Sequence, residues 1–282
     1  MSSYGPWAVV TGASSGIGRA FAEHLAASAV NVVLVARSTE RLTSLGADLR
    51  RDHGVAYRVV TADLSSPDGA RTVLAACADL DVGLLVSNAG GGHPGLFLDQ
   101  ELKDLHRRLT LNTTTHMELS YGFGRRFVAR GGGGVLLVSA LGAVHGLPNM
   151  AHESAARAYV LNLGEALHYE LAPAKVNVMV MLPGNVDTPI IETFGLDRAD
   201  LPIRPRPAAA AVRETLAAFG RHRPMHIPGR LMRMMTRFVP RSRLVRLNGR
   251  MLGRAAANLR RRSPRSRDGQ RRGRRSRRPR PS

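Results

Sequence analysis

The stretch of this 282-residue chain with the clearest chemistry is Thr11-Gly12-Ala13-Ser14-Ser15-Gly16-Ile17-Gly18. It directly follows the apolar run Trp7-Ala8-Val9-Val10, and the residues after it, Arg19 to Leu25, have helical spacing. A strand, a glycine-rich turn and a helix start in that order form a site for a dinucleotide pyrophosphate. The glycines let the backbone approach the phosphates, and the helix start presents unpaired N–H groups and partial positive charge. No His, Cys and Asp spacing suggests a metal site, and the single cysteine, Cys77, excludes an internal disulfide framework.

The elements that must position this loop are legible as alternating patterns. Apolar strand candidates recur at 7–11, 31–36, 56–61, 82–87, 134–139 and 175–181, separated by helical patterns near 17–29, 39–51, 67–78, 101–130 and 151–171. The alternation predicts a doubly wound parallel sheet in a three-layer α/β/α arrangement. The strands are apolar nearly throughout, as expected when helices cover both faces. Residues 184–207 contain Pro189, Pro202, Pro205 and Pro207 and read as a mobile lid, after which a helix at 208–220 and a short strand at 225–227 complete the sheet.

The net charge of +20 is unevenly distributed. Residues 1–201 carry 16 basic and 19 acidic side chains, 202–258 carry 13 Arg against Glu214, and 259–282 carry 12 Arg against Asp268. The expected organisation is therefore a nucleotide-binding domain over 1–228, a basic amphipathic segment over 229–258 and a disordered Arg-rich tail over 259–282. Three readings of the basic end compete: a helix on an anionic membrane surface, a helix covering the substrate, or a tail contacting nucleic acid. The last is disfavoured because no aromatic residues interleave the arginines. No leader and no run of about 18 apolar residues is present, which predicts a cytoplasmic protein with at most peripheral membrane contact through 229–258.

Over about residues 5–230 the chain resembles the short-chain dehydrogenase/reductase family. Ordered motifs carry the resemblance: the 11–18 loop, Ala62-Asp63-Leu64, Asn88-Ala89-Gly90, Asn112, and Pro183-Gly184 followed by Val186 and Thr188. The resemblance implies a Rossmann-type seven-stranded sheet. It implies that Thr11, Gly12, Ser14, Ser15, Gly16, Ile17, Gly18, Asp63, Leu64, Asn88, Ala89, Gly90, Pro183, Gly184, Val186 and Thr188 hold a nicotinamide dinucleotide. Arg37 ends the second strand about 20 residues past the glycines, where an acid would select NAD; an Arg there suits the additional phosphate of NADP. The resemblance also implies a homodimer or homotetramer paired through the helices at 101–130 and 151–171.

The family's chemistry uses a Ser, a downstream Tyr and a Lys one helical turn beyond the Tyr. Anchored on Gly146-Leu147-Pro148 and Asn112, those positions fall on Ala140, Glu153 and Arg157. Sliding by one residue recovers Ser139 but no Tyr, and Tyr159 is followed one turn later by Leu163. Glu153 and Arg157 lie on one helical face and are expected to pair, with Arg157 also holding the cofactor ribose. Pairing favours an ionised Glu153 that accepts a proton; burial favours a protonated Glu153 that donates one. His145, in the loop after the fifth strand, and Ser139 are further candidates beside Asn112. Three functions follow: an NADP-dependent oxidoreductase on an alcohol or carbonyl of an apolar small molecule, an NADP-binding pseudoenzyme or sensor, and a non-redox isomerase or lyase using Glu153 as base.

Overall fold

The computed structural model describes residues 4–198, 201 and 203–262. Seven strands form one parallel sheet in the order β3-β2-β1-β4-β5-β6-β9. They are β1 (Trp7–Thr11), β2 (Asn31–Ala36), β3 (Tyr57–Thr61), β4 (Val82–Ser87), β5 (Gly133–Val138), β6 (Val176–Met181) and β9 (Met225–His226). Between them run α1 (Gly16–Ala26), α2 (Thr39–His53), α3 (Gly69–Ala76), α4 (Leu102–Leu109), α5 (Thr115–Arg130), α6 (Ala151–Leu171) and α8 (Ala208–Phe219).

The layering follows from the alternation of side chains along each strand. Val10, Leu34, Leu136 and Val138 face one core with Phe21 and Leu25 of α1, Leu42 and Leu49 of α2 and Phe219 of α8. Val9, Val33, Val135 and Leu137 face the other core with Val73 of α3, Leu119, Phe123 and Phe127 of α5 and Val160 of α6. Every residue of β4, β5 and β6 is buried, which is why those segments read as apolar runs broken only by Ser87 and Asn177. The strand order reverses between β1 and β4, and the crevice beyond the carboxyl ends of those two strands is where this architecture places a ligand.

The structure adds detail to three of the sequence expectations. The helical pattern over 101–130 is two helices, α4 and α5, joined by a π-turn over Thr110–Thr114. The 184–207 segment is tied at its neck: β7 (Val186–Asp187) pairs in parallel with β8 (Arg206–Pro207), with a short helix α7 (Ile190–Thr193) between them. The basic segment forms α9 (Arg230–Phe238) and α10 (Arg241–Arg262), so helix extends into the part expected to be disordered. The remainder of that expected tail, 263–282, lies outside the described residues.

α10 covers the carboxyl-end side of the domain. Its own Leu244, Leu252, Ala255 and Ala256 are buried on the inner face, and Asn248 Nδ2 lies 3.1 Å from Nε2 of His145. Asn258 donates to the Gly195 carbonyl at 3.3 Å, and Arg260 pairs with Asp99. The inner face of α10 is accounted for by this packing.

Candidate active site

The phosphate loop is held by its neighbour across the strand reversal. Thr11 Oγ1 accepts from the backbone N–H of Asn88 at 2.8 Å and of Ala89 at 2.9 Å, and Asn88 Nδ2 donates to the Thr11 carbonyl at 2.9 Å. Gly12 sits at φ +67°, in the left-handed region. A Cβ on Gly18 would stand 2.2 Å from the Gly12 carbonyl oxygen, so only glycine lets α1 begin this close to β1. Ser15, the N-cap of α1, makes no side-chain cap bond, which leaves the first N–H groups of the helix available to an anion. Thr188 lies over the loop: a Cβ on Gly16 would meet its Cγ2 at 3.0 Å.

At the other end of the crevice Arg37 is exposed at the tip of β2. Between the phosphate loop and α2 a hollow of about 470 Å³ is lined by Ser14, Arg19, Glu40, Arg41, Ser44 and Asp48. Asp63 accepts from the Ser65 hydroxyl at 2.7 Å and from its N–H at 3.0 Å. The Ser65 bonds, aided by Arg107 and Arg37, hold the Asp63 carboxyl below the usual carboxylate range. The neighbouring Leu64 carbonyl is fixed by the Thr115 hydroxyl at 2.7 Å. The donors, the close backbone approach and the exposed arginine fit a dinucleotide with a phosphorylated ribose.

The turn after β4 connects these groups to the candidate chemistry, residue by residue. Asn88 and Ala89 bond Thr11, as above. Gly90 packs directly under the Arg157 guanidinium; a Cβ there would overlap Nη2 at 1.8 Å. Gly91 is clasped by Asn112, which accepts from its N–H at 3.0 Å and donates to its carbonyl at 2.9 Å. Gly92 lies against Met150, Glu153 and Phe194, and the His93 N–H donates to Glu153 Oε1 at 3.3 Å.

Glu153 is 3% exposed. Its ion-pair partner is not the expected Arg157 but Arg108 on α4, whose Nε stands 2.9 Å from Oε1. Arg108 also donates to Gln100. Glu153 Oε2 has no hydrogen-bond partner among the described residues. Arg157 instead donates to the Val138 carbonyl at 3.0 Å. Burial of its guanidinium lowers its pKa to about 10, with the charge of Glu153 opposing the shift, so it remains a cation at neutral pH. The pairing geometry of α6 is therefore diverted: Glu153 faces α4, and Arg157 faces the ends of β4 and β5.

Two other candidates are already engaged. The Ser139 hydroxyl donates to the Arg157 carbonyl at 2.7 Å and so fastens the strand end to α6. His145 is buried under α10 and held by Asn248; burial, then Arg241, lowers its pKa. Pro183 and Gly184 stand at the end of β6, where the Pro183 carbonyl accepts from Leu141 N–H at 3.0 Å and Gly184 touches Met232 of α9. Val186 begins β7.

The structure adds two residues that sequence reading missed. Arg108 partners Glu153, and His116 supports the turn from behind. His116 Nε2–H donates to the Ala89 carbonyl at 3.1 Å, which leaves Nδ1 to accept from the Ser87 hydroxyl at 2.9 Å. Complete burial, reinforced by the charge of Arg157, lowers its pKa to about 3 and keeps it neutral. A signal was present: Arg108, Asn112 and His116 recur every fourth residue, a polar stripe down one side of the helical segment.

The short chain dehydrogenase family profile matches residues 6–199, and the chain belongs to that family. A 7beta-hydroxysteroid dehydrogenase of Mediterraneibacter gnavus is 33% identical over 186 residues, covering 66% of this chain and 71% of that one. A protein of Pongo abelii named inactive hydroxysteroid dehydrogenase-like protein 1 is 32% identical, covering 67% of this chain and 58% of its own length. A short-chain dehydrogenase from Sphingobium yanoikuyae, solved in complex with NADPH, superposes with a TM-score of 0.76 at 32% identity, covering 88% of this chain and 94% of that one.

Proposed function

We propose that this protein is an NADP(H)-dependent oxidoreductase acting on a hydroxyl or carbonyl carbon of an apolar small molecule, with an unusual Glu153/Arg157 site. One observation carries the reading. The single turn 88–93 touches Thr11 of the phosphate loop, Arg157, Asn112 and Glu153 in succession, so nucleotide site and candidate chemistry form one rigid unit. The NADPH complex of the Sphingobium relative and the hydroxysteroid activity named for the Mediterraneibacter relative support the cofactor and substrate class.

In this reading Thr11 to Gly18 and the start of α1 bind the pyrophosphate, Arg37 grips the ribose phosphate, and Asp63 and Leu64 border the adenine. Pro183, Gly184, Val186 and Thr188 border the nicotinamide. When bound, the dinucleotide supplies or accepts a hydride at the substrate carbon. Arg157 holds the ribose hydroxyls beside Gly90. Glu153, with Oε1 facing Arg108 and the His93 N–H, takes up the substrate's hydroxyl proton at Oε2, which favours alcohol oxidation. Asn112 keeps the turn in register. Self-association uses the outer faces of α5 and α6, where Tyr121, Val128, Tyr159 and Tyr169 are exposed.

A second reading, a cofactor-binding pseudoenzyme, is favoured by the crowding of Met150, Phe194 and Glu153 around Gly92 and by the named inactivity of the Pongo relative. Turnover across paired alcohols and ketones, wild type beside Glu153→Gln, separates the two. The oxidoreductase predicts turnover that Glu153→Gln removes while NADPH affinity is kept. Tight NADPH binding with no Glu153-dependent turnover supports the pseudoenzyme, and a Glu153-dependent isomerisation without net redox change supports the non-redox base.

A further inference from the structure

The C-terminal helices carry surface that this chemistry does not use. α9 turns Met232 inward against Gly184. It turns Leu231, Met234 and Phe238 outward, 54, 57 and 71% exposed. Their spacing places them in one row along the helix, with exposed Arg230 and Arg237 along its edge. α10 buries Leu244, Leu252 and Ala255 and presents Arg243, Arg246, Arg250, Arg254 and Arg261 to solvent from the opposite side.

Like charges a helical turn apart destabilise a helix, and residues 230–262 contain no Asp or Glu to offset them. Arg233 is matched by Glu214 and Arg260 by Asp99. The five outward arginines have no carboxylate within ion-pair distance among the described residues. An exposed apolar row edged by Arg230 and Arg237, followed along the chain by an unmatched cationic stripe on α10, is complementary to an anionic surface with an apolar interior. Nucleic acid would neutralise the arginines but leave Leu231, Met234 and Phe238 in water.

We infer that α9 and the outer face of α10 dock on an anionic lipid bilayer, with Leu231, Met234 and Phe238 entering the headgroup–acyl boundary and the arginines meeting lipid phosphates. The contact is peripheral, since no described helix is long and apolar enough to cross a membrane. It sits beside the candidate site: α9 reaches Gly184 and α10 reaches His145. An apolar substrate dissolved in the bilayer is thereby delivered at the site's edge.

The test is co-sedimentation of the full chain with vesicles of phosphatidylcholine alone or mixed with phosphatidylglycerol, at low and high salt. The triple variant Leu231→Ser, Met234→Ser, Phe238→Ser retains every arginine and alters only exposed side chains; circular dichroism and NADPH binding check its fold. The expected result is salt-sensitive binding to the mixed vesicles alone, weakened about tenfold or more in the triple variant. Equal binding by variant and wild type would show charge attraction without insertion and overturn the inference. Binding to duplex DNA but not to vesicles, or a loss of self-association in the variant with vesicle binding unchanged, would overturn it equally.

Discussion

Arg108 Nε lies 2.9 Å from Glu153 Oε1, and the two side chains are 18 and 4% exposed. They come from different helices, α4 and α6, so this ion pair closes the site as well as charging it. Removing one member of a buried pair leaves the other desolvated and unmatched, whereas replacing both with apolar groups can be nearly neutral. Arg108→Met should therefore cost about 3–5 kcal/mol, and Arg108→Met combined with Glu153→Leu should recover most of that loss. Urea denaturation of the two single variants and the double variant measures the coupling; additive losses would show that the pair does not act as one unit.

Glu153→Gln should lower turnover by about 10²–10⁴-fold if the carboxylate moves the substrate proton. The dissociation constant for NADPH, read by fluorescence, should stay within a factor of a few. A parallel loss of cofactor affinity would place Glu153 in the binding machinery instead.

Arg37→Ala removes an exposed charge, and its effect should depend on the cofactor. A charge-assisted contact contributes roughly 1.5–3 kcal/mol, so the Michaelis constant for NADP should rise about 10- to 100-fold while that for NAD changes little. Equal effects on both cofactors would remove Arg37 from the ribose phosphate.

Gly18→Ala should destabilise the fold and weaken nucleotide binding together. The added carbon would stand 2.2 Å from the Gly12 carbonyl oxygen and 2.6 Å from Asn88 Nδ2. The first is backbone and cannot step aside, so a cost of about 1–3 kcal/mol is expected. Thermal unfolding with and without NADPH reads both effects.

His116 gives the fold an acid-sensitive element. Its folded pKa is about 3 against an ordinary 6.5, so the unfolded chain binds the proton first as the pH falls. The stability it contributes is complete above the unfolded pKa, declines below it, and is lost as the pH falls through the folded pKa. His116→Gln should flatten the fall in urea midpoint between those two values. An unchanged slope would assign the acid sensitivity to carboxylates such as Asp63 instead.

The sheet was legible because its central segments are buried on both faces and must be nearly apolar throughout; β2 and β4 match their predicted limits residue for residue. The phosphate loop was legible because its glycines answer local geometry. Arg108 was not, because its partner lies far along the chain and an arginine on a charged helix reads as solvated surface until the packing of α4 on α6 is known. The expected Glu153–Arg157 pair failed for the same reason. Helical spacing makes such a pair possible, but Arg108 and the Val138 carbonyl offer each side chain a different partner. α9 and α10 carried a readable amphipathic pattern, but covering helix and surface helix share that pattern.

The β7–β8 ribbon leaves one more consequence. Val186 pairs with Arg206 and Asp187 with Pro207, so the segment that overhangs the site leaves and rejoins the domain through a single hydrogen-bonded neck. Closing a loop costs little more as it lengthens. Sequence beyond Thr188 and before Arg206 can therefore vary without reopening the sheet, so the covering segment can diverge while Thr188 and the phosphate loop beneath it stay in place.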